Sequence, residues 1–227
     1  MKRILTISAL LFSVVLYAQE PQIIGGYIID SEDSFEELEA AVLTESRTKD
    51  RTLTGKGTKI PGPVIFMTPE NLGEEIGSIA KTKHPFLVKT ISFTVDENKM
   101  EGCRASIRIY RVLSDGNLEN IVTMPIQQDI PKTESKATFV IAPQERIFLE
   151  PGEYYVSFSI TDLSQEILDR WKDSHTWDEN DRYSKYREDR IFFPLYIKNS
   201  FRRYGPDKPL LEWGANIGLE VKGNVMK

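Results

Sequence analysis

The run DRWKDSHTWDENDRYSKYREDR, from Asp169 to Arg190, gathers acids, bases, two tryptophans, two tyrosines and one of the chain's two histidines. Trp177, Asp178, Arg182, Tyr183 and Tyr186 are the side chains whose types suit recognition. An aromatic ring offers an apolar face for stacking, while a nearby carboxylate or guanidinium orients a hydroxyl or an amide. A sugar or a protein partner would meet such a combination. The alternative is packing, because amphipathic rings also lie flat over a sandwich edge beneath a long loop. Trp171 has an ordinary reason to exist. Ser164 is placed to cap a short helix on which Ile167, Leu168 and Trp171 share one side.

Other chemistries are tested by their residue requirements. Two histidines, His84 and His175, and one cysteine, Cys103, supply no His-Glu-x-x-His helix and no Cys/His zinc set. No Gly-x-Ser-x-Gly elbow is present either. His84 precedes Pro85 in a basic loop and reads as a surface residue. Gly73 and Gly77 lack phosphate-cradle spacing and suit a tight bend or a bulge. Asp178 to Asp181 could offer oxygens to calcium, but the loop has neither the glycine nor the closing glutamate of an EF-hand. No metal site and no cofactor follow from these residues. Carboxylates are harder to dismiss, since a glycosidase needs only two, held about 5 to 9.5 Å apart by the fold. Glu74, Glu75, Asp96, Glu153 and Glu212 qualify, and turn or solvent-face acids are the plainer reading.

The amino terminus bears on the compartment. Lys2 and Arg3 precede an apolar stretch from Ile4 to Tyr17 and a small residue, Ala18, which is the pattern of a secretory signal over residues 1–19. The stretch is shorter than the roughly 20 residues of a spanning helix. Its removal shifts the formal charge from −5 to −7, since Lys2 and Arg3 are its ionisable side chains. An acidic chain lacks the basic face that nucleic acid requires. A lone cysteine in an oxidising compartment cannot close an internal bridge, so Cys103 reads as a small buried hydrophobe and the core must supply the stability.

From Pro63 onward the apolar residues fall into strand-length runs: GPVIFM, FLVKTISFTV, ASIRIYRVL, ATFVIA, GEYYVSFSI, RIFFPLYI and GANIGLEV. In KTISFTV, Ile91, Phe93 and Val95 share one face and Thr90, Ser92 and Thr94 the other. Tyr155, Ser157 and Ser159 likewise oppose Tyr154, Val156, Phe158 and Ile160, so one face is expected buried and the other wet. Turns rich in Gly, Pro, Asn and Asp separate the runs, with Pro151-Gly152 suited to a type II turn. The pattern predicts an all-β fold, an antiparallel jelly-roll-like β-sandwich over residues 60–224, with one short helix in a long loop. Residues 20–59 form an N-terminal flexible segment: a capping-box spacing at Ser34 and Glu37 permits a short helix, and Glu45 to Lys59 reads as a mobile linker.

The stretch from Glu70 to Val112, followed by LEPGEYYVSFSITDL, resembles the C-terminal β-sandwich region of Bacteroidota secreted proteins that contain a carboxypeptidase-regulatory-like domain. The resemblance lies in a turn at Leu72, Gly73, Glu75, Ile76 and Gly77 and a strand carrying Arg104, Ile107, Ile109 and Tyr110, and it covers roughly residues 60–163. It implies an exported envelope or surface β-sandwich and carries over no catalytic residue.

These readings converge on a non-catalytic, secreted or periplasmic cell-envelope module that binds a glycan or an envelope protein through the connection between residues 163 and 190. Two alternatives stand beside it: a carbohydrate hydrolase with two carboxylates, and a structural subunit of an envelope assembly. On the binding reading, Trp177→Ala and Tyr183→Ala reduce partner binding while the thermal unfolding midpoint stays put. Loss of the fold with both substitutions assigns those rings to the core instead.

Overall fold

The computed structural model describes residues 50–173 and 189–226. The strands run in chain order as β1 (Asp50–Thr54), β2 (Thr58–Met67), β3 (Glu75–Thr82), β4 (Phe86–Val95), β5 (Glu97–Asn98), β6 (Cys103–Val112), β7 (Leu118–Asn120) and β8 (Ile126–Ile130). They continue as β9 (Ala137–Ile141), β10 (Ile147–Leu149), β11 (Gly152–Asp162), β12 (Ile191–Ile197), β13 (Phe201–Arg203), β14 (Leu211–Glu212), β15 (Ala215–Asn216) and β16 (Glu220–Val225). Among the described residues a single turn of 3₁₀ helix, Pro69–Asn71, precedes β3, and one α-helix, α1 (Gln165–Asp173), follows β11.

Among the described residues every pairing is antiparallel, and the strands make three sheets. One has the order β1-β16-β4-β10, with β9 also on β4; a second runs β14-β13-β3-β11-β6-β7, with β8 also on β6. The smallest is β15-β12-β2, with β5 also on β12. The fold is therefore the all-β sandwich that the alternating runs predict.

Burial of the alternate positions drives the assembly. Phe158 on β11, Phe93 on β4 and Phe193 on β12 have essentially no solvent exposure. Phe158 meets Phe93 edge-on at 5.0 Å and Phe193 edge-on at 5.3 Å, so one ring joins all three sheets. Phe139 of β9 stacks on Phe93 at 5.2 Å. Edge-to-face contacts of this kind add to the area term because ring edges and faces carry opposite partial charge. Cys103 sits in the same core, and burial pushes its thiol up to about 12.

Polar side chains fix the connections. Asn98, 2% exposed, donates to the carbonyls of Met100, Ile130 and Pro131 at 3.0, 2.9 and 3.1 Å and accepts from the Met100 amide. Asn216 donates to Ser78 Oγ at 2.6 Å and accepts from the Gly218 amide at 2.9 Å. The expected cap of α1 is present, with the Ile167 amide donating to Ser164 Oγ at 3.4 Å, and Ile167 is the buried face of that helix. Arg170 grips Asp189 with two hydrogen bonds of 3.0 and 2.5 Å, clamping α1 to the chain just before β12.

Three expectations are corrected. The linker predicted through Lys59 has given way to β1 and the start of β2 from Asp50 onward; residues 45–49 lie outside the described residues. Composition misleads there because β1 is held by its backbone register with β16 and by Leu53 against the core, rather than by an apolar face of its own. Lys198 also holds this edge, donating to Thr54 Oγ1 and to the Gly55 carbonyl. Gly152 has no positive φ and already pairs with Thr82, so no type II turn forms there. Ser157 and Ser159 are 1% and 3% exposed, so the second face of β11 is covered as well.

The core makes a direct demand on Cys103. In the folded protein at pH 8 a thiol reagent such as 5,5′-dithiobis(2-nitrobenzoate) gives no absorbance change, and addition of guanidinium chloride releases one equivalent. Rapid labelling without denaturant would show that the thiol is reachable and the packing here is wrong.

Candidate functional site

Residues Glu74 and Glu75 are consecutive, as are Arg202 and Arg203, and β3 lies beside β13 in the register Glu75↔Arg203 and Ile76↔Arg202. Side chains alternate between the faces of a strand, so the two acids and the two cations divide into two ion pairs on opposite faces. Both acids are buried, at 4% and 2% exposure. The two pairs are built for different ends.

The Glu75 pair is closed. Arg203 Nη2 donates to both oxygens of Glu75 at 2.9 Å, and its Nη1 donates to the Pro206 carbonyl at 3.0 Å. The Tyr110 hydroxyl donates to Glu75 Oε1 at 2.8 Å and accepts from Arg108 Nη1 at 3.3 Å. The Arg203 guanidinium lies 4.5 Å from the Tyr110 ring centre, and Tyr155 stacks on Tyr110 at 6.1 Å. Burial raises the ionisation of both tyrosines above its ordinary range, and the Glu75 charge adds to it. Both Nη atoms of Arg203 and the Tyr110 hydroxyl are matched to acceptors inside the protein, while the buried Arg203 Nε has none, and Glu75, Arg203 and Tyr110 are shut away from solvent as a structural network.

The Glu74 pair is open on one side. Arg202 Nε donates to Glu74 Oε1, and the other carboxylate oxygen accepts from Asn71 Nδ2 at 2.8 Å. Asn71 is held in turn, its Oδ1 accepting from the Thr68 amide at 2.9 Å and from the Thr68 hydroxyl at 3.3 Å. The guanidinium lies 4.4 Å from the Trp213 ring centre and 5.4 Å from that of Tyr204, within cation–π range of both. Among the described residues, Nη1 and Nη2 of Arg202 have no hydrogen-bond acceptor.

Arg202 lines a cleft of about 740 Å³ at the seam between the smallest sheet and the β13-β3 edge of the largest. Phe66, Asn71, Glu70, Arg190 and Trp213 share the lining. Phe66 is 52% exposed on the outer face of β2, opposite Phe192 of β12, and Arg190 lies 5.5 Å from its ring centre. The cleft therefore combines a half-exposed aromatic ring with a guanidinium fixed in orientation. A second, smaller groove of about 370 Å³ lies among Val122, Met124, Ile126, Ile141, Pro143 and Ile147.

The residues singled out from sequence have separate fates. Trp177, Asp178, Arg182, Tyr183 and Tyr186 lie outside the described residues, as do His175 and the Asp178 to Asp181 run. Glu74 and Glu75 are committed to arginines, while Glu153 pairs with Lys81 at 2.8 Å on the surface. Glu212 is exposed and Asp96 half-buried. His84 is exposed, and its carbonyl accepts from the Thr82 hydroxyl. Among the described residues no cluster of three His, Cys, Asp or Glu side chains could hold a metal ion. Nor, among those residues, is any helix long and apolar enough to cross a membrane. Arg202, Trp213 and Phe66 were missed by sequence reasoning. The signal available was the doublet Arg202-Arg203 between Phe201 and Tyr204, matched by the doublet Glu74-Glu75.

No protein-family model and no curated protein matches the chain. A solved structure titled "Structure of infectious bursal disease virus Gt strain" is similar at a TM-score of 0.35 and 9% identity. That match covers 81% of this chain and 43% of the viral one, so the chain spans under half of its length.

The closed pair carries an expected cost. Arg203→Ala lowers the unfolding free energy by about 3–5 kcal/mol, because it strands a buried carboxylate. The joint replacement Glu75→Leu with Arg203→Met costs much less, since neither charge is then left alone. Urea unfolding of both variants measures the difference; equal losses would mean that the pair contributes net attraction rather than mutual compensation.

Proposed function

We propose that this chain is a secreted, non-catalytic cell-envelope β-sandwich that binds a glycan, and that the cleft beside Arg202 holds it. The signal-like amino terminus and the resemblance to Bacteroidota envelope proteins support export. The observation that carries the binding reading is the pairing of an exposed ring, Phe66, with an oriented guanidinium, Arg202, in one concave site. A sugar presents an apolar face to a ring and hydroxyl or acid oxygens to a donor.

The size of the cleft, about 740 Å³, falls in the range of small-ligand sites. A protein partner would instead call for about 800 Å² of surface on each side. Hydrolysis by paired acids finds little support here. Glu70 is the acid that lines the cleft directly, and both oxygens of Glu74 accept hydrogen bonds from Arg202 and Asn71. Among the described lining residues Glu70 is the one carboxylate, so no pair of acids faces the cleft.

A glycan array locates the ligand, and calorimetry with the best binder tests the site. Phe66→Ala weakens binding at least about tenfold, a loss of about 1.4 kcal/mol, with little change in the thermal midpoint because the ring is half in solvent. Val64→Gln, at the exposed neighbouring position on β2, puts a longer neutral side chain into the cleft and weakens binding similarly. Undiminished affinity in both variants would move the binding surface elsewhere.

A further inference from the structure

We propose that Arg202 is the specificity-determining residue of this cleft and that the glycan it holds is acidic, offering a carboxylate or sulfate to the Nη1/Nη2 edge of the guanidinium. The proposal rests on the glycan reading above and specifies the ligand's chemistry.

Arg203 is the internal comparison. Both of its Nη atoms are used on protein acceptors, two bonds to Glu75 and one to Pro206. Arg202, its chain neighbour, uses Nε alone. A guanidinium has five N–H donors in a rigid plane. With Nε occupied, the four on Nη1 and Nη2 form a fork whose spacing matches two oxygens of one anion, and such charge-assisted bonds are roughly twice as strong as neutral ones.

The fork is held in place at some expense. Thr68 fixes Asn71, Asn71 and Arg202 share the two oxygens of Glu74, and Trp213 and Tyr204 flank the guanidinium. A buried carboxylate used only to fill space would be replaced by an apolar side chain without loss, and often with gain. Spending Glu74 on one atom of an arginine that still reaches the cleft makes sense when the orientation of the remaining atoms matters. Glu74 is thus a positioning residue, and Arg202 the group that touches the ligand.

The overall charge gives an acidic ligand no assistance. The chain carries a formal net charge of −5, so its long-range field repels a polyanion. Binding to an acidic polymer must come from a local donor set.

The experiment uses the full chain and two polymer pairs that differ only in charge: polygalacturonate against its methyl ester, and dextran sulfate against dextran. Poly-L-glutamate is the peptide control. The acidic member of one pair binds about 10- to 100-fold tighter than its neutral partner, the range expected for hydrogen bonds to a charged group, and the preference weakens with salt. Which pair shows it separates carboxylate from sulfate. Arg202→Lys loses the preference, because an ammonium lacks the planar fork. Since Arg202→Gln alone strands Glu74, the joint variant Glu74→Gln with Arg202→Gln is used, with thermal unfolding as the control for folding; it too binds both members alike. Equal binding of both members by the native protein overturns the acidic specificity and leaves the glycan reading standing. Poly-L-glutamate binding as tightly as the acidic glycan overturns the glycan reading. No binding to any polymer or array glycan overturns both, and a preference that survives in the folded joint variant overturns the assignment to Arg202.

Discussion

Phe158 is the residue on which the architecture turns. It lies at the middle of β11, the strand with β3 on one side and β6 on the other, and its ring meets Phe93 and Phe193 from the two other sheets. A sandwich of two layers needs only facing apolar surfaces. Three sheets need a common point, or each pairwise interface would leave an open seam. Edge-to-face aromatic contacts supply that point because a ring can present its edge to one neighbour and its face to another. A seam remains farther out, between β2 and β12 on one side and β13 and β3 on the other, and residues of both sides line it. The cleft lies along that seam, so the same geometry that closes the core opens the site.

The polar groups at the seam obey the same accounting as those of the core. Asn98 and Asn216 are buried amides whose donors and acceptors are matched to backbone or hydroxyl partners. Matched groups of this kind rigidify, whereas an unmatched one costs its full desolvation. Glu74 and Glu75 follow the rule; Arg203 leaves its Nε unmatched inside the core, whereas the unmatched donors of Arg202, Nη1 and Nη2, belong to a side chain that lines the cleft.

Much of the fold was legible in residues 60–225 because period-two burial is a local property. The runs around Phe93, Ile107, Phe158 and Phe193 all became strands, and Ser164 capped the helix as its spacing suggested. What stayed hidden was non-local. β3 reads as a turn because Gly77 and Ser78 are small, yet smallness is required there: a Cβ at Gly77 would stand 2.2 Å from the Val156 carbonyl oxygen and 2.8 Å from the Tyr155 ring. β1 reads as linker because its stability resides in β16, some 170 positions away in the chain. The cleft was invisible for the same reason. Glu74 and Arg202 are separated by 128 positions, and no periodicity tells which strand will neighbour which.

The charge doublets raise a question of register that charge alone does not answer. A slip of β13 by one residue would bring Arg202 opposite Glu75 and Arg203 opposite Glu74, so two acids would still face two cations. Side-chain volume breaks the tie. In the observed register Phe201 lies opposite Gly77, and the Tyr155 hydroxyl donates to the Phe201 carbonyl at 3.3 Å. The slip would turn Phe201 to the other face and set it against Ile76 or Ser78, while Tyr155 would lose its acceptor. A one-residue slip moves every side chain of a strand to the opposite face. It would also exchange the two arginines, placing the one at position 203 toward the cleft and the one at 202 under Tyr110. The glycine at position 77 therefore does more than admit a tyrosine ring: by fixing which arginine faces which side, it determines which one keeps its donors open.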